Sequence, residues 1–387
     1  MNATAVHTAP VAIIGGGPVG LMLALFLDGY GVPVVLFNSE SETRWNPKGS
    51  THNSRTMEHY RRVGIADAVR TLGMPADHPR DITYFTRLNG WELARFAMPS
   101  EQQRMQEAES TLETDQVPEP LLRANQMYVE RYLLEQVRHR KNITLRFGWQ
   151  VNDFSQDENG VSIQAVNANG AGAVEHWRCG YMVGCDGGQS FVRRSLGISF
   201  DGVQEAKIGF LSGRMLSSHL RIPALHESLL VDKKAWMYNV MAPDLRMLLI
   251  SLNGNDEFLM MSQAKASDEI AGDATTNAAM NATMIKRIHE GIGMHLDVSV
   301  LAHATWNGGV ALVAERFSDK RVFLAGDATH LFSPTGGFGM NTGIGVMGPY
   351  DHASVSIGRA WNLCSRNLQG GSTPGDTYMG SLGNWYA

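Results

Sequence analysis

A glycine-rich turn between two apolar segments most restricts the fold of this 387-residue chain. The run from Pro10 to Ile14 is short and rich in β-branched residues, as is typical of a buried strand. The turn Gly15-Gly-Gly-Pro-Val-Gly20 follows, and the apolar segment from Leu21 to Leu27 then has the pattern of a buried helix. A second apolar run extends from Val32 to Phe37. This order predicts a βαβ unit with parallel strands.

Three glycines of the turn match the fingerprint of a dinucleotide site. Gly15 would permit the tight turn, Gly17 would let the backbone approach a pyrophosphate, and Gly20 would allow close packing of helix on strand. The start of the helix would then face the phosphates, because its free N–H groups favour negative charge. A glycine-rich turn without a ligand is the alternative.

The end of the second predicted strand lacks the acidic residue that commonly holds ribose hydroxyls in such units. Asn38 occupies this position, and its amide can bond a hydroxyl without the added strength of a charge. Glu40 is the nearest acidic alternative. Arg44 and Lys48 lie in a polar loop that could fold over a pyrophosphate, with simple surface solvation as the alternative for both.

The composition excludes several classes of protein. The formal net charge is −5 and 18% of the residues are charged, without a basic stripe, so we expect no nucleic-acid partner. The apolar stretches are far shorter than the roughly 20 residues of a membrane helix, so we expect no membrane span. The first residues lack the features of a secretory signal, and Cys179, Cys185 and Cys364 form no paired motif. These features predict a cytoplasmic protein.

The middle of the chain has the pattern of a second, β-rich domain. Asp81 to Ala97 alternates around Asn89-Gly90, which is a strong hairpin signal. From Phe200 to about Thr305 the alternation is weaker, with candidate strands at Trp236 to Met241 and at Arg246 to Leu252. We expect these pieces to form a domain inserted into the first one.

Three separated motifs, GGGPVG, VGCDGGQSFVRR and RVFLAGDATHLFSPTGGFGMN, occur in this order along the chain. Together they resemble the FAD-dependent aromatic hydroxylases, the single-component flavoprotein monooxygenases related to para-hydroxybenzoate hydroxylase and phenol hydroxylase. The resemblance extends from Val11 to Ile344. It implies an α/β fold, in which a Rossmann-like FAD-binding domain carries an inserted β-rich substrate domain.

Domain boundaries follow from combining the resemblance with the strand pattern. We expect the FAD-binding domain to comprise residues 1–80, 118–200 and 309–365, and the substrate domain to comprise 81–117 and 201–308. Residues 366–387 are expected to form an irregular tail.

The resemblance also implies roles for residues outside the glycine turn. Asp186 and Gly187 match the family's Asp-Gly motif, which is associated with both FAD and NAD(P)H binding. Gln126 matches a glutamine that lies along the flavin, and Arg123 stands just before it. A capping or surface role is the alternative for Gln126 and Arg123.

The third motif would hold the flavin itself. Asp327 matches an aspartate that accepts a ribityl hydroxyl, and the stretch from Pro334 to Gly339 would bring bare backbone to the isoalloxazine ring. A helix starting near Met340 and Asn341 would point its positive end at the pyrimidine edge, where reduced flavin is anionic. His330 is interpreted as a packed structural histidine in preference to a general base. The full set of expected cofactor-binding residues is Gly15, Gly17, Gly20, Asn38, Arg44, Lys48, Arg123, Gln126, Asp186, Gly187, Gly326, Asp327, Pro334, Gly336, Gly337, Gly339, Met340 and Asn341.

The activity that the resemblance implies is hydroxylation of a phenolic or other aromatic small molecule. NADPH or NADH would reduce the bound FAD, and O2 would then give a flavin C4a-hydroperoxide that the aromatic ring attacks. Because the cofactor carries the chemistry, we expect no Ser-His-Asp arrangement, no metal site and no paired catalytic carboxylates.

Tyr238 is the candidate for orienting the substrate, since its hydroxyl could bond a phenol oxygen, with an ordinary core position as the alternative. The oligomeric state stays open, with a homodimer as one alternative.

The sequence departs from the family pattern after Ile344. Gly348-Pro349 interrupts the expected helix, and a helix could resume between Asp351 and Leu368. The family-like sequence thus looks truncated or diverted here. Two rival functions therefore stay open: a flavin-binding remnant without activity, and a flavin-dependent epoxidase or ketone oxygenase of the same fold.

Overall fold

The computed structural model describes residues 5–43, 45–110, 118–168, 170, 172–203, 213–264, 278–308, 310–332 and 337–346. The expected helix after residue 350 and the expected tail lie outside these residues. The α-helices are α1 (Pro18–Gly29), α2 (Ser54–Arg62), α3 (Ala66–Arg70), α4 (Glu101–Ser110), α5 (Gln126–Arg138), α6 (Phe191–Ser195), α7 (Ala278–Ile292) and α8 (Phe338–Val346).

The strands belong to two large sheets and two small ones. They are β1 (Val6–Ile14), β2 (Val34–Asn38), β3 (Thr51–His52), β4 (Ile82–Phe85), β5 (Glu92–Phe96), β6 (Leu122–Arg123), β7 (Ile143–Phe147), β8 (Trp149–Asp157), β9 (Gly160–Asn167), β10 (Val174–Gly184), β11 (Phe200–Val203), β12 (Gly213–Arg221), β13 (Met237–Met241), β14 (Arg246–Ser251), β15 (Glu257–Gln263), β16 (Ser299–Gly308), β17 (Ala311–Ala314), β18 (Ser318–Asp319), β19 (Val322–Leu324) and β20 (His330–Leu331). A π-helical turn covers Leu225–Leu229 and a 3-10 turn covers Gly326–Ala328.

The first sheet has the order β18-β19-β10-β1-β2-β7, and β9 and β8 extend it from β10. Strands β19, β10, β1, β2 and β7 run parallel to one another, and α1 connects β1 to β2. This arrangement confirms the predicted βαβ unit. Because all residues from Val19 to Leu27 are buried, α1 is covered on every side, which explains its unbroken apolar sequence.

The second sheet has the order β16-β12-β15-β14-β13-β4-β5. The antiparallel pair β4 and β5 is the hairpin predicted around Asn89-Gly90, and β13 and β14 are the two candidate strands. Sequence reasoning missed α7, whose buried residues Met280, Met284, Ile288 and Ile292 pack on this sheet. Their spacing of four residues is the helical signal that could have identified it.

An apolar layer joins α5 to the opposite face of the second sheet. It is formed by buried residues of both regions, namely Met74, Met127, Trp236, Leu248, Ile250, Leu252 and Leu259. The discontinuous domain division stays a prediction. β11, which crosses its boundary after residue 200, pairs with β17 of the expected FAD-binding domain. In the part of the chain that the structure describes, no helix is long and apolar enough to cross a membrane.

Acid sensitivity is expected from His52, which is buried beside the first sheet. One ring nitrogen lies 3.1 Å from the Tyr60 hydroxyl and the other 3.0 Å from the Ala124 carbonyl, and burial lowers the pKa of His52 to about 4. The unfolded chain therefore binds the proton more tightly, so stability is complete above pH 6.5 and falls as the pH drops towards 4. We expect His52 to account for a loss of about 2 kcal/mol in unfolding free energy between pH 7.5 and pH 5.

Urea unfolding at these two pH values measures that loss. The difference should shrink in His52→Gln, whereas it should persist in His139→Gln, which changes an exposed histidine. An identical difference in His52→Gln would refute the assignment.

Candidate cofactor site

A groove of about 650 Å³ runs along one edge of the first sheet. It is lined by Ile14 at the end of β1, by Asn38 at the end of β2, by Asp186 just after β10 and by Asp327 just after β19. The carboxyl ends of parallel strands meet at the same edge of a sheet, where α/β folds bind their ligands. Topology therefore brings together three segments that are far apart in the sequence.

The glycine turn forms one wall of the groove. Gly15 has φ +114°, and a Cβ there would lie 2.3 Å from the Cys185 carbonyl oxygen. A Cβ on Gly20 would lie 2.0 Å from the Gly15 carbonyl oxygen, whereas one on Gly17 would meet no atom within 4 Å. Gly15 and Gly20 are thus required for close packing, and Gly17 leaves open space beside the start of α1.

Asn38 lines the groove at the expected position but also holds the turn in place. Its Oδ1 accepts a hydrogen bond from the Gly16 N–H at 3.1 Å, and its Nδ2 donates to the Glu40 carbonyl at 2.9 Å. One lone pair and one N–H of the amide remain for a ligand. Glu40 and Lys48 also line the groove, while Arg44 lies outside the described residues.

Asp186 and Gly187 form the opposite wall, as expected. The Asp186 carboxylate accepts hydrogen bonds from the Ser190 hydroxyl at 2.5 Å and from the Val192 N–H at 3.1 Å, at the start of α6. Gly187 has φ +83°, a conformation that favours glycine. The carboxylate therefore shapes the loop after β10 and also faces the groove.

Asp327 faces the groove from the 3-10 turn after β19. Its side chain is open to the groove, but the surrounding walls limit its hydration and raise its pKa, while Lys48 and His330 act in the opposite direction. Gly326, with φ +60°, packs against Val19 of α1 and also lines the groove. Asp327 can thus serve as a hydrogen-bond acceptor for a donor in the groove.

His330 lies behind Asp327 and is buried. Its ring is tilted by 37° against that of Phe332 with centroids 4.8 Å apart, and its two nitrogens have no hydrogen-bond partner in the described part of the chain. Burial lowers the pKa of His330, with Asp327 opposing that shift. This position agrees with the interpretation of a packed histidine.

The glycine-rich stretch of the third motif closes one end of the groove. Gly337, Gly339 and Met340 line it, and α8 begins at Phe338. Gly337 has φ +68° and lies against Thr51 of β3. The expected residues Pro334 and Gly336 lie outside the described residues.

Asn341 corrects one expectation, because its amide is turned away from the groove into the protein. Its Oδ1 accepts from the Asn53 N–H at 2.9 Å and the Thr56 hydroxyl at 2.7 Å. Its Nδ2 donates to the Thr51 carbonyl at 2.8 Å and the Gly337 carbonyl at 2.6 Å. Three of the four hydrogen bonds of this buried amide therefore fasten α8 to β3 and to α2 with its N-cap Asn53, and the fourth joins it to Gly337 just before α8.

Gln126 and Arg123, which are close in the sequence, have different surroundings. Gln126 lines the groove at the start of α5, where its backbone N–H donates to the Gly49 carbonyl at 2.8 Å and its amide bonds to Glu130. Arg123 is not among the residues that line the groove, and its guanidinium instead lies 3.8 Å from the ring centre of Trp236. We therefore do not propose Arg123 as a cofactor-binding residue.

Tyr238 is a second correction. It is fully buried on the face of the second sheet that α7 covers. Its hydroxyl accepts from the Ala235 N–H at 2.7 Å and lies 2.9 Å from Nε2 of His226. A phenol hydroxyl with two protein partners inside a core cannot orient a substrate, so the alternative of a core position is correct.

Sequence reasoning assigned no role to several residues that line the groove, some outside the three motifs and some within them. They include Glu42, Thr43, Thr51, Glu130, Trp149, Gln150, Gln189, Arg194, Phe332 and Phe338. Arg194 and Gln189 stand within eight residues of Asp186, and that proximity was the available signal. Among the described residues no cluster of side chains could hold a metal ion.

The parallel sheet, the glycine turn and the groove at its edge define a Rossmann-type nucleotide-binding fold. The model of the FAD binding domain family matches residues 8–346. The chain belongs to this FAD-binding family.

Relatives and solved structures agree with this membership. The chain is 30% identical to the FAD-dependent monooxygenase apdD of Emericella nidulans, covering 89% of this chain and 55% of that protein. It is 27% identical to the phenol 2-monooxygenase of a Pseudomonas strain, covering 89% of this chain and 52% of that protein. The structure of native and K252c-bound RebC-10x superposes with a TM-score of 0.78 at 29% identity, covering 92% of this chain and 64% of that one. The chain thus spans about half the length of these two curated relatives.

Proposed function

We propose that this chain binds FAD in the groove and acts as an FAD-dependent monooxygenase, which uses NADPH or NADH and O2 to hydroxylate an aromatic small molecule, phenolic or otherwise. The family match across residues 8–346 is the observation that carries the proposal. The named relatives are monooxygenases, one of them acting on phenol by its name. The chemistry of oxygen transfer is supplied by FAD when it is bound.

Two places along the groove suit an extended dinucleotide. The open space at Gly17 lies beside the start of α1, where free N–H groups favour a pyrophosphate. Asp327 offers an acceptor for a hydroxyl donor farther along the groove. The protein's own contribution is therefore to bind and orient the cofactor.

The far end of the groove suits the flavin ring. Gly337 and Gly339 present backbone without side chains, and the N-terminal end of α8 starts between them at Phe338. The positive end of a helix stabilises negative charge on a bound ring. Residues 337–340 would therefore favour the anionic, reduced form of the cofactor.

The proposal predicts a yellow protein that consumes nicotinamide cofactor when an aromatic substrate is present. We expect the visible absorption bands of flavin in the purified protein, and FAD as the compound released on denaturation. NADPH and NADH oxidation is then compared with and without a panel of phenols, and isotopically labelled O2 is traced into the product. Label in a new ring hydroxyl supports the proposal.

The other outcomes of the experiment identify the rival functions. A protein that binds FAD but whose NADPH and NADH oxidation no phenol stimulates would be the inactive remnant. A colourless protein that does not take up added FAD would refute the proposal at the binding step. Label in an epoxide or an ester would instead indicate an epoxidase or a ketone oxygenase.

A further inference from the structure

Arg123 is a half-buried cation that has no acidic partner among the described residues. In β6 it pairs with Thr51 of β3, and its Nη1 donates to the Thr51 hydroxyl. No ion pair of Arg123 occurs in the part of the chain that the structure describes, and the fork formed by Nε and Nη2 has no protein acceptor there. A cation that is partly removed from water is normally paired with an anion, because its desolvation is costly.

The electrostatic surroundings of Arg123 make this lack of an anion more costly. Burial lowers the pKa of Arg123 to about 10, and the positive charges of Arg104 and Arg80 act in the same direction. Nearby Arg80 is bonded to backbone carbonyls, and the Glu101 carboxylate pairs with Arg70. The surrounding groups therefore leave an excess of positive charge at Arg123.

The indole of Trp236 supplies a second unpaired donor at the same place. The Arg123 guanidinium lies 3.8 Å from the centre of its ring. Trp236 is buried, and its Nε1–H has no acceptor among the described residues. A buried N–H without an acceptor costs about 1–3 kcal/mol. A buried indole N–H without an acceptor, beside a guanidinium whose Nε and Nη2 have no protein acceptor in the described residues, is complementary to a ligand that only accepts hydrogen bonds.

The position of this stack connects it to both the groove and the apolar layer. Thr51, the partner of Arg123, lines the groove and contacts Gly337. Trp236 belongs to the apolar layer that also contains Leu248 and Ile250 of the second sheet. A ligand here would therefore have an apolar surface on one side and a cationic fork on the other.

We propose that Arg123 and Trp236 bind the carboxylate of an aromatic acid, which is the substrate of the monooxygenase proposed above. The inference rests on that proposed function for the reaction. A carboxylate has only acceptor atoms, and the side of a guanidinium formed by Nε and Nη2 matches its two oxygens. The aromatic ring of the acid would contact the apolar layer.

The test compares an aromatic acid with its neutral amide. We choose 3-hydroxy-2-naphthoate and 3-hydroxy-2-naphthamide, and measure both dissociation constants by calorimetry on the FAD-loaded protein and on the protein as purified. The wild type should prefer the acid, and Arg123→Met should weaken acid binding roughly 10- to 100-fold while changing amide binding about twofold or less. Arg123→Lys should retain part of the preference, because it keeps the charge and loses the fork.

Two further variants control for folding and for loss of charge. Arg131→Met removes another arginine that lies over an indole, that of Trp45, and should leave the acid preference unchanged. Trp236→Phe keeps the aromatic ring and loses the N–H, so it should weaken acid binding less than Arg123→Met does. This variant also keeps the proposal testable if Arg123→Met does not fold.

Three results would overturn the inference. They are equal binding of acid and amide by the wild type, an unchanged acid preference in Arg123→Met, and a loss of FAD affinity in Arg123→Met with the acid preference retained. The last result would indicate that Arg123 binds FAD and not the carboxylate of the substrate. Because calorimetry does not require turnover, failure of the proposed activity is distinguishable from failure of this anion site.

Discussion

Gly17→Asp is expected to abolish FAD binding while the protein stays folded. Gly17 is the N-cap of α1 and has φ −77°, a conformation open to any residue. Aspartate is a favoured N-cap, and a Cβ at this position meets no atom within 4 Å, so the melting temperature should not fall. Its carboxylate would stand where the pyrophosphate is expected, and like charges in contact cost several kcal/mol. We expect at least roughly 100-fold weaker FAD binding.

The measurement is the flavin content per protein chain together with the melting temperature. Gly17→Ala should bind FAD almost normally, because it adds a small neutral group in open space. Gly20→Ala should instead lower the melting temperature, since its Cβ would lie 2.0 Å from the Gly15 carbonyl oxygen. Normal flavin content in Gly17→Asp would show that the cofactor does not pass this turn.

Asn341→Ala is expected to destabilise the protein and to release the cofactor together. The substitution removes one buried amide that makes four hydrogen bonds, to Thr51, Asn53, Thr56 and Gly337. Buried groups left without a partner cost about 1–3 kcal/mol each, and relaxation limits the sum, so we expect a loss of about 3 kcal/mol. Because Gly337 lines the groove, α8 would no longer be held against its end.

Urea unfolding and flavin titration together measure this effect. Thr56→Ala removes only one of the four bonds and should cost about 1 kcal/mol, with little change in flavin affinity. If Asn341→Ala matched the wild type in both measurements, the fastening of α8 by this amide would be excluded.

The nucleotide-binding half of the fold could be predicted because its signals are local. The strand, the turn at Gly15 to Gly20 and the helix follow one another within a short stretch, and periodicity and glycine spacing specify each of them. The same reasoning located Asp186 and Asp327 at strand ends, and the parallel topology then placed both on the groove. The family resemblance added the expected ligand.

Arg123, Asn341 and Tyr238 show where such reasoning stops. Asn341 bonds to Asn53, which is 288 residues away in the sequence, and Arg123 stacks on Trp236 of the other sheet region. The alternation of side chains correctly placed Tyr238 in a strand. Alternation alone does not tell which face of that sheet packs against α7. These three roles depend on contacts between distant segments.

By itself, the sequence determined the βαβ unit, the glycine positions that a bulky side chain would disturb, and the family. Only the tertiary structure decided that the Asn341 amide bonds inside the protein, and that the Arg123 guanidinium lies over the Trp236 indole with no carboxylate paired to it in the described part of the chain. The physical reason is that backbone conformation and apolar periodicity act over a few residues, whereas the pairing of buried donors and charges is set by whichever distant segments the fold brings into contact.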